Sequence, residues 1–186
     1  MKIIYKGKYD GNPESLPHRE HQPGAVQFKE FDEKGLSIFA SILALVIMVG
    51  LLVVLSMRGG GEAYNNIGFL LFLLTLFPHE FLHAICFKEE VCVYTNWSKG
   101  MLFVVGPETM SKGRFIFMSL LPNILFGFVP FLLFLVNPNW GVLGTWGAFA
   151  IGAGAGDYYN VFNALTQMPK GARTYLYQFH SYWYMP

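Results

Sequence analysis

Residues 65–87 read NNIGFLLFLLTLFPHEFLHAICF, an apolar run of 23 residues with a single acid and two histidines. A helix of this length rises about 34 Å, enough to cross the ~30 Å hydrocarbon core of a bilayer. His79, Glu80 and His83 lie towards the end of the run. Ionisable side chains at membrane depth are costly and mark functional sites. The stretch therefore predicts a membrane-spanning helix that carries a functional site.

The spacing of these three residues indicates a metal site. His79 and His83 are four apart, so on a helix both imidazoles lie on one face and can bind one ion. Glu80, beside them, is placed to accept a proton from a metal-bound water. The pattern predicts Zn²⁺ as the cofactor, two histidine ligands and Glu80 as general base. Pro78 predicts a kink, which either only bends the helix or opens backbone carbonyls towards a cavity beside the metal.

The composition supports a membrane protein. Hydrophobic residues make up 53% of the 186 residues, aromatic residues 17% and charged residues only 13%. Soluble domains average about 25% charged residues. The sequence has no basic block of the kind that binds nucleic acid. Cys86 and Cys92 match neither a thiol redox motif nor a common zinc motif, which favours reduced thiols.

The predicted fold class is an all-α integral membrane protein with four transmembrane helices. The four apolar segments are residues 36–57, 65–87, 115–136 and 140–165. Between the second and third, the β-prone runs 91–94 and 101–105 flank a turn at 96–100, which predicts a cytoplasmic β-hairpin. We expect a cytoplasmic N-terminal segment at 1–35, a four-span domain at 36–165 and a cytoplasmic aromatic-rich tail at 166–186.

The distribution of Lys and Arg predicts the orientation. With four spans, the N-terminal segment, the loop at 88–114 and the C-terminal tail share one side of the membrane. Of the 13 Lys and Arg residues, only Arg58 falls on the other side. Because positively charged loops stay in the cytoplasm, both termini are predicted to be cytoplasmic.

The depth of the polar residues in the membrane suggests a third ligand for the metal. At 1.5 Å per residue from the cytoplasmic surface, the histidine motif lies about 9 Å deep, and Asn123 and Asp157 each lie about 12 Å deep. Asp157 and Glu80 are the only acids in the predicted spans. Catalytic zinc usually has three protein ligands, so Asp157 is the candidate for the third. The alternative is a protonated Asp157 bonded to a neighbouring helix. Gly152 and Gly156 would let this helix approach the histidine helix closely.

Two further features are candidates for catalysis. Asn123 could donate a hydrogen bond to the oxyanion that forms when a metal-bound hydroxide attacks a peptide carbonyl. Alternatively, it could simply form a hydrogen bond between helices. A peptide bond must be extended to be cleaved, and the hairpin at 91–105 could hold a substrate strand by β-augmentation. The alternative is that the hairpin is only a structured loop.

The pattern His79-Glu80-x-x-His83 in one span, with Asp157 in a later one, resembles the site-2-type intramembrane metalloproteases. More narrowly, residues from about 16 to 165 resemble small bacterial membrane proteins grouped as zincin peptidases. The resemblance implies a zinc endopeptidase in the bacterial cell membrane that cleaves membrane-associated polypeptides near the cytoplasmic face. In the site-2 family an Asn and a Pro precede an Asp-Gly pair. Here Tyr158 follows Asp157, and Pro122-Asn123 lies in another span.

Two functions of other classes remain open at this stage. One is a catalytically silent membrane scaffold or regulatory subunit that keeps a structural zinc, although such a site has no need of Glu80. The other is a small metal transporter, for which four spans are few and no inverted repeat is evident. The expected partners are the lipid bilayer and a membrane protein or peptide substrate. The sequence does not determine the oligomeric state.

Overall fold

The computed structural model describes residues 2–60, 64–96 and 101–186. The helices are α1 (Glu33–Gly59), α2 (Asn66–Ile85), α3 (Lys112–Pro122), α4 (Val129–Val136), α5 (Gly141–Ala153) and α6 (Ala155–Gln167), with a π-helical segment at Asn123–Phe128. The strands are β1 (Lys2–Lys8), β2 (Val26–Gln27), β3 (Glu90–Asn96), β4 (Met101–Val105), β5 (Met110–Ser111), β6 (Arg173–Tyr177) and β7 (His180–Tyr184).

The first two long helices begin at polar caps and are largely apolar. The Asp32 carboxylate accepts the N–H of Gly35 at 3.0 Å, which satisfies an orphan donor at the start of α1. The Asn65 side chain accepts the N–H of Ile67 at 2.9 Å at the start of α2. Among the described residues, three helices are long and apolar enough to cross a membrane, Lys34–Gly59, Asn66–Ile85 and Lys112–Val136. Three of the four predicted spans are thus matched by length and composition.

The predicted fourth span differs from the structure. Instead of one helix at 140–165, α5 ends at Ala153 and α6 begins at Ala155. At the junction the Gly154 N–H bonds to the Ile151 carbonyl at 3.2 Å, a tighter pairing than that of an α-helix. The 13 residues of α5 rise only about 20 Å, so this helix alone is short for a span.

The loop between α2 and α3 forms strands as predicted. Strands β3 and β4 pair antiparallel, with Cys92 opposite Val105 and Asn96 opposite Met101. The predicted turn includes residues 97–100, which lie outside the described part of the chain. β1 joins the other edge of β3 in parallel, giving the order β1-β3-β4.

A second sheet makes the all-α prediction too narrow. Its order is β2-β7-β6-β5, with antiparallel pairing throughout. Val26 pairs with Trp183, and Met110 pairs with Thr174. These pairings join residues that are far apart in sequence. Local periodicity carries no information about such pairings. The described part of the chain is mostly helical, with two sheets.

The chain forms two compact units. One comprises Phe31–His79 and Ser119–Tyr159, and the other comprises Met1–Glu30, Glu80–Met118 and Asn160–Pro186. The helical unit has a core of buried side chains from α1, α4 and α5: Leu55, Phe131, Phe134, Ala148 and Ile151. The other unit contains both sheets, and one of its cores is built from Tyr9, Leu16, Cys92, Tyr94 and Val105. The functional division at 1–35, 36–165 and 166–186 stays a prediction.

Glycines allow close helix packing, but at different positions from those expected. A Cβ at Gly68 of α2 would meet the Val142 carbonyl and the Thr145 side chain of α5, so this glycine permits the close approach of the two helices. Gly152 instead packs on Met48 of α1, and a Cβ at Gly156 would meet nothing within 4 Å. Of these three glycines, Gly68 is the one that lies at the contact of α5 with the histidine helix.

Candidate metal centre

The motif lies on α2 as the sequence predicts. One ligand atom from each of His79, Glu80 and His83 lies within 4.8 Å of the others, and all three side chains are half-buried. This proximity follows from the helix, because residues four apart are stacked on one face. Pro78 lies inside α2 and cannot donate to the Leu74 carbonyl one turn before it.

Asp157 lies against the first histidine. Its Oδ2 is 3.2 Å from His79 Nε2, and the two side chains are 15% and 20% exposed. Two ligand atoms bound tetrahedrally at zinc distances are about 3.3 Å apart. The observed separation therefore fits two ligands of a single zinc ion.

The break before α6 places this carboxylate in a favourable position. Asp157 lies in the first turn of α6, where the helix dipole stabilises negative charge. The Asn123 side chain donates from Nδ2 to Asp157 Oδ2 at 2.7 Å. This hydrogen bond fixes the orientation of the carboxylate, as the outer partners of metal ligands do.

Asn123, the predicted oxyanion donor, is hydrogen-bonded to Asp157 in the structure. Its Nδ2 also donates to the Ser119 carbonyl at 3.0 Å, so the two amide hydrogens bond to that carbonyl and to Asp157. An amide nitrogen carries only two hydrogens, which leaves none for a substrate oxygen. Asn123 is 1% exposed, which also separates it from substrate. This arrangement matches the other possibility considered for Asn123, a hydrogen bond between helices. Its acceptor is Asp157, the candidate ligand.

Gly154 makes room for Asn123. A Cβ at position 154 would overlap the Asn123 side-chain oxygen and come within 2.9 Å of the Tyr158 hydroxyl. That hydroxyl donates to the Ile151 carbonyl at 2.9 Å. The glycine that breaks the fourth predicted span thus also allows the amide to reach Asp157.

His83 has an orienting partner that sequence reasoning missed. Its Nδ1 lies 2.9 Å from the backbone carbonyl of Met118 in α3. A carbonyl only accepts hydrogen bonds, so Nδ1 carries the hydrogen, and in the neutral ring Nε2 then carries the lone pair. Metal-binding histidines almost always bond in this way through the nitrogen that does not bind the metal. The sequence feature that could have indicated this contact is Pro122. A proline in a helix leaves the carbonyl four residues earlier, here that of Met118, without its usual donor.

A buried ion pair holds the end of α2. Arg114 donates to the Cys86 carbonyl from Nε at 2.9 Å and from Nη2 at 2.6 Å. It also donates from Nη1 to Glu108 at 2.5 Å. Burial by itself raises the pKa of Glu108. The hydrogen bonds from Arg114 and from the Glu89 and Lys88 amides outweigh that effect and lower the pKa overall. The pair fixes the chain immediately after the histidine motif.

The donor set suits zinc. Two imidazole nitrogens and one carboxylate oxygen are ligands that zinc accepts, and a three-ligand catalytic site keeps a fourth position open. His79, Asp157 and His83 each have an orienting contact or a contact with another candidate ligand. Glu80 belongs to the same cluster as a nearby carboxylate.

Comparison with known proteins identifies the family. The family model described as "Putative zincin peptidase" matches residues 72–173, which include the histidine motif, Asn123 and Asp157. No curated protein and no solved structure matches the chain significantly. Zincins are zinc metallopeptidases, so the match supports the predicted cofactor and a peptidase activity. Because the matched region covers more than half of the 186 residues, the chain belongs to the family described as "putative zincin peptidase".

Proposed function

We propose that this protein is a zinc-dependent intramembrane endopeptidase of the bacterial cell membrane that cleaves membrane-associated polypeptides near the cytoplasmic face. The zinc ligands are His79, His83 and Asp157, and Glu80 is the general base. The observation that carries the proposal is the 3.2 Å approach of Asp157 Oδ2 to His79 Nε2, on the helix that holds the His-Glu-x-x-His motif. Together with the two histidines, Asp157 would give the three protein ligands that catalytic zinc usually has.

Peptide hydrolysis follows from this set of side chains. Zinc, when bound, supplies the Lewis acidity that activates water and polarises the scissile carbonyl. Glu80 accepts a proton from the water as its oxygen attacks the carbonyl carbon. The C–N bond then breaks, and Glu80 passes the proton to the departing nitrogen, leaving a new carboxyl group and a new amine. Asn123 keeps Asp157 in position throughout.

The membrane location is supported by exposed apolar surface. Large apolar side chains along the whole of α1 are exposed, among them Ile42, Val46, Val49, Val53 and Met57. Soluble monomers rarely expose contiguous apolar patches beyond a few hundred Å². A lipid environment explains this surface, because acyl chains replace the missing protein contacts.

The strand pairings support a four-span topology with both termini on the same side of the membrane, which the distribution of Lys and Arg predicts to be the cytoplasm. The N-terminal segment pairs with the loop strand β3 through β1 and with β7 of the C-terminal segment through β2. The loop also pairs with the C-terminal segment through β5 and β6. Strands cannot pair across a bilayer, so these three segments share one side. The chain therefore crosses twice before β3 and twice after β5, and α5 and α6 together form the last crossing.

The edge of the first sheet is the proposed substrate platform. In the order β1-β3-β4, the strand β4 is at an edge and follows α2 closely in sequence. An extended substrate can pair with such an edge through main-chain hydrogen bonds, which present its peptide bonds without the protection of a helix. This arrangement selects for segments that are extended or readily unwound.

The test compares cells that express wild type with cells that express Glu80→Gln. Glutamine keeps the shape of the side chain but removes the base, so we expect fragments of membrane proteins to disappear while zinc content stays at the wild-type level. Proteomics of membrane fractions detects the fragments, and metal analysis measures the zinc. Glu14→Gln, at an exposed position on the 3₁₀ turn Pro13–Ser15, is the control. Identical fragment patterns in all three strains would favour a silent scaffold with a structural zinc.

A further inference from the structure

Pro122 and the carbonyl four residues before it form a defined pair in α3. In an α-helix the carbonyl of one residue accepts the N–H of the residue four positions later. For Met118 that residue is Pro122, which has no N–H. The Met118 carbonyl instead accepts from His83 Nδ1 at 2.9 Å. A carbonyl removed from water needs a donor, and here the imidazole provides it.

We infer that Pro122 is a positioning residue for His83. By removing the N–H that would compete for the Met118 carbonyl, Pro122 reserves this acceptor for the ring. The ring is then held as the Nδ1–H tautomer, in which Nε2 is the nitrogen that can bind a metal. This inference rests on the proposed function, in which His83 is a zinc ligand. It extends that function to a residue that touches neither metal nor substrate.

The neighbouring residue serves another candidate ligand by a related arrangement. Asn123 Nδ2 bonds to the Ser119 carbonyl at 3.0 Å and to Asp157 at 2.7 Å. The adjacent pair Pro122-Asn123 thus acts on His83 through the carbonyl of Met118 and on Asp157 directly. A π-helical segment begins at Asn123, and such segments are frequent at functional sites. Pro122 and Asn123 are both buried.

The first test measures the tautomer of His83 without metal. The purified 186-residue chain is labelled with ¹⁵N-histidine, stripped of metal in detergent and studied by NMR at a pH where imidazole is neutral. The His83 signal is assigned by its loss in His83→Gln. We expect the Nδ1–H tautomer to dominate in wild type and its share to fall in Pro122→Ala, where residue 122 regains an N–H. Pro130→Ala is the matched control, because Pro130 is also buried in the helix that follows. We expect it to keep the wild-type tautomer.

The second test measures zinc affinity by competition with a chromogenic chelator. Loss of an outer partner of a metal ligand costs roughly 10–100-fold in affinity, and we expect the low end for Pro122→Ala because the carbonyl itself remains. Pro130→Ala should match wild type. A wild type that binds no zinc would contradict the proposed function. A wild type that binds zinc, with Pro122→Ala equal to it in both affinity and tautomer, would overturn this inference alone. Fragment release restored to wild-type level by saturating zinc would identify the defect as one of metal binding.

Discussion

His79 Nε2 lies 3.2 Å from Asp157 Oδ2, although the two residues are 78 positions apart in the sequence. The contact joins α2 to the first turn of α6, and the Asn123 amide fixes the carboxylate from a third segment. Two isolated histidines one turn apart are an incomplete site for catalytic zinc. The pairing of His79 with Asp157 is therefore the relationship on which the proposed chemistry depends.

Replacement of Asp157 tests the third ligand. We expect Asp157→Ala to weaken zinc binding by more than roughly 100-fold, since loss of a ligand should exceed the 10–100-fold effect of losing an outer partner. Affinity is measured by chelator competition in the detergent-solubilised protein. Asp10→Ala, at an exposed position, is the control and should bind zinc like wild type. Retained affinity in Asp157→Ala would remove this residue from the ligand set.

Asn123→Ala separates orientation of the ligand from stabilisation of the oxyanion. The structure directs both amide hydrogens of Asn123 to Ser119 and Asp157, so we expect zinc affinity to fall by roughly 10–100-fold. Loss of an oxyanion donor would instead leave zinc affinity unchanged and lower kcat by about 10²–10³-fold. Measuring zinc affinity and fragment release in the same preparation distinguishes the two results.

Gly154 and Gly156 offer a matched pair of substitutions. A methyl group at position 154 would overlap the Asn123 side chain, whereas position 156 has open space around it. We expect Gly154→Ala to displace Asn123, to weaken zinc binding and to cost about 1–3 kcal/mol in the free energy of unfolding. Gly156→Ala should keep zinc affinity at the wild-type level. Thermal unfolding with and without zinc measures both effects, and equal behaviour of the two variants would contradict the packing argument.

The Glu108–Arg114 pair predicts a dependence of stability on pH. The pKa of Glu108 is lowered in the folded protein from an ordinary value of 4.5. The stability that this carboxylate contributes is therefore complete above about pH 4.5 and is lost as the pH falls through its lower folded pKa. In Glu108→Gln that part of the acid dependence should be absent, as measured by thermal unfolding between pH 3 and 7. An unchanged acid profile would contradict the assignment.

Removal of the cation tests the same pair at neutral pH. Arg114→Leu leaves the Glu108 carboxylate buried and without its guanidinium partner, and breaking a buried pair costs about 3–5 kcal/mol. The change should also loosen the chain after α2, since Arg114 bonds to the Cys86 carbonyl. Arg19→Leu is the control, because its pair with Glu89 is exposed and exposed pairs contribute little. Equal losses in the free energy of unfolding of the two variants would contradict the distinction between a buried and an exposed ion pair.

Local sequence patterns predicted the helices and strands that form from short stretches of the chain. The apolar runs predicted α1, α2 and the helical stretch Lys112–Val136, and β-prone runs predicted β3 and β4. The break at Gly154 was missed because an apolar run with glycines is compatible with one helix or with two. The second sheet was missed because β2 pairs with β7 across most of the chain. Such pairing depends on the approach of distant segments, which no sequence window contains.

The sequence by itself determined the chemistry available, namely two histidines and a glutamate on one turn of an apolar helix. The reason is that a helix places residues four apart on one face, whatever surrounds it. It also determined that Asp157 was a rare acid in an apolar region. Only the tertiary structure decided which atoms meet: Asp157 with His79, Asn123 with Asp157, and the Met118 carbonyl with His83. These contacts depend on how helices pack and where a proline removes a donor, and packing is a property of the folded chain.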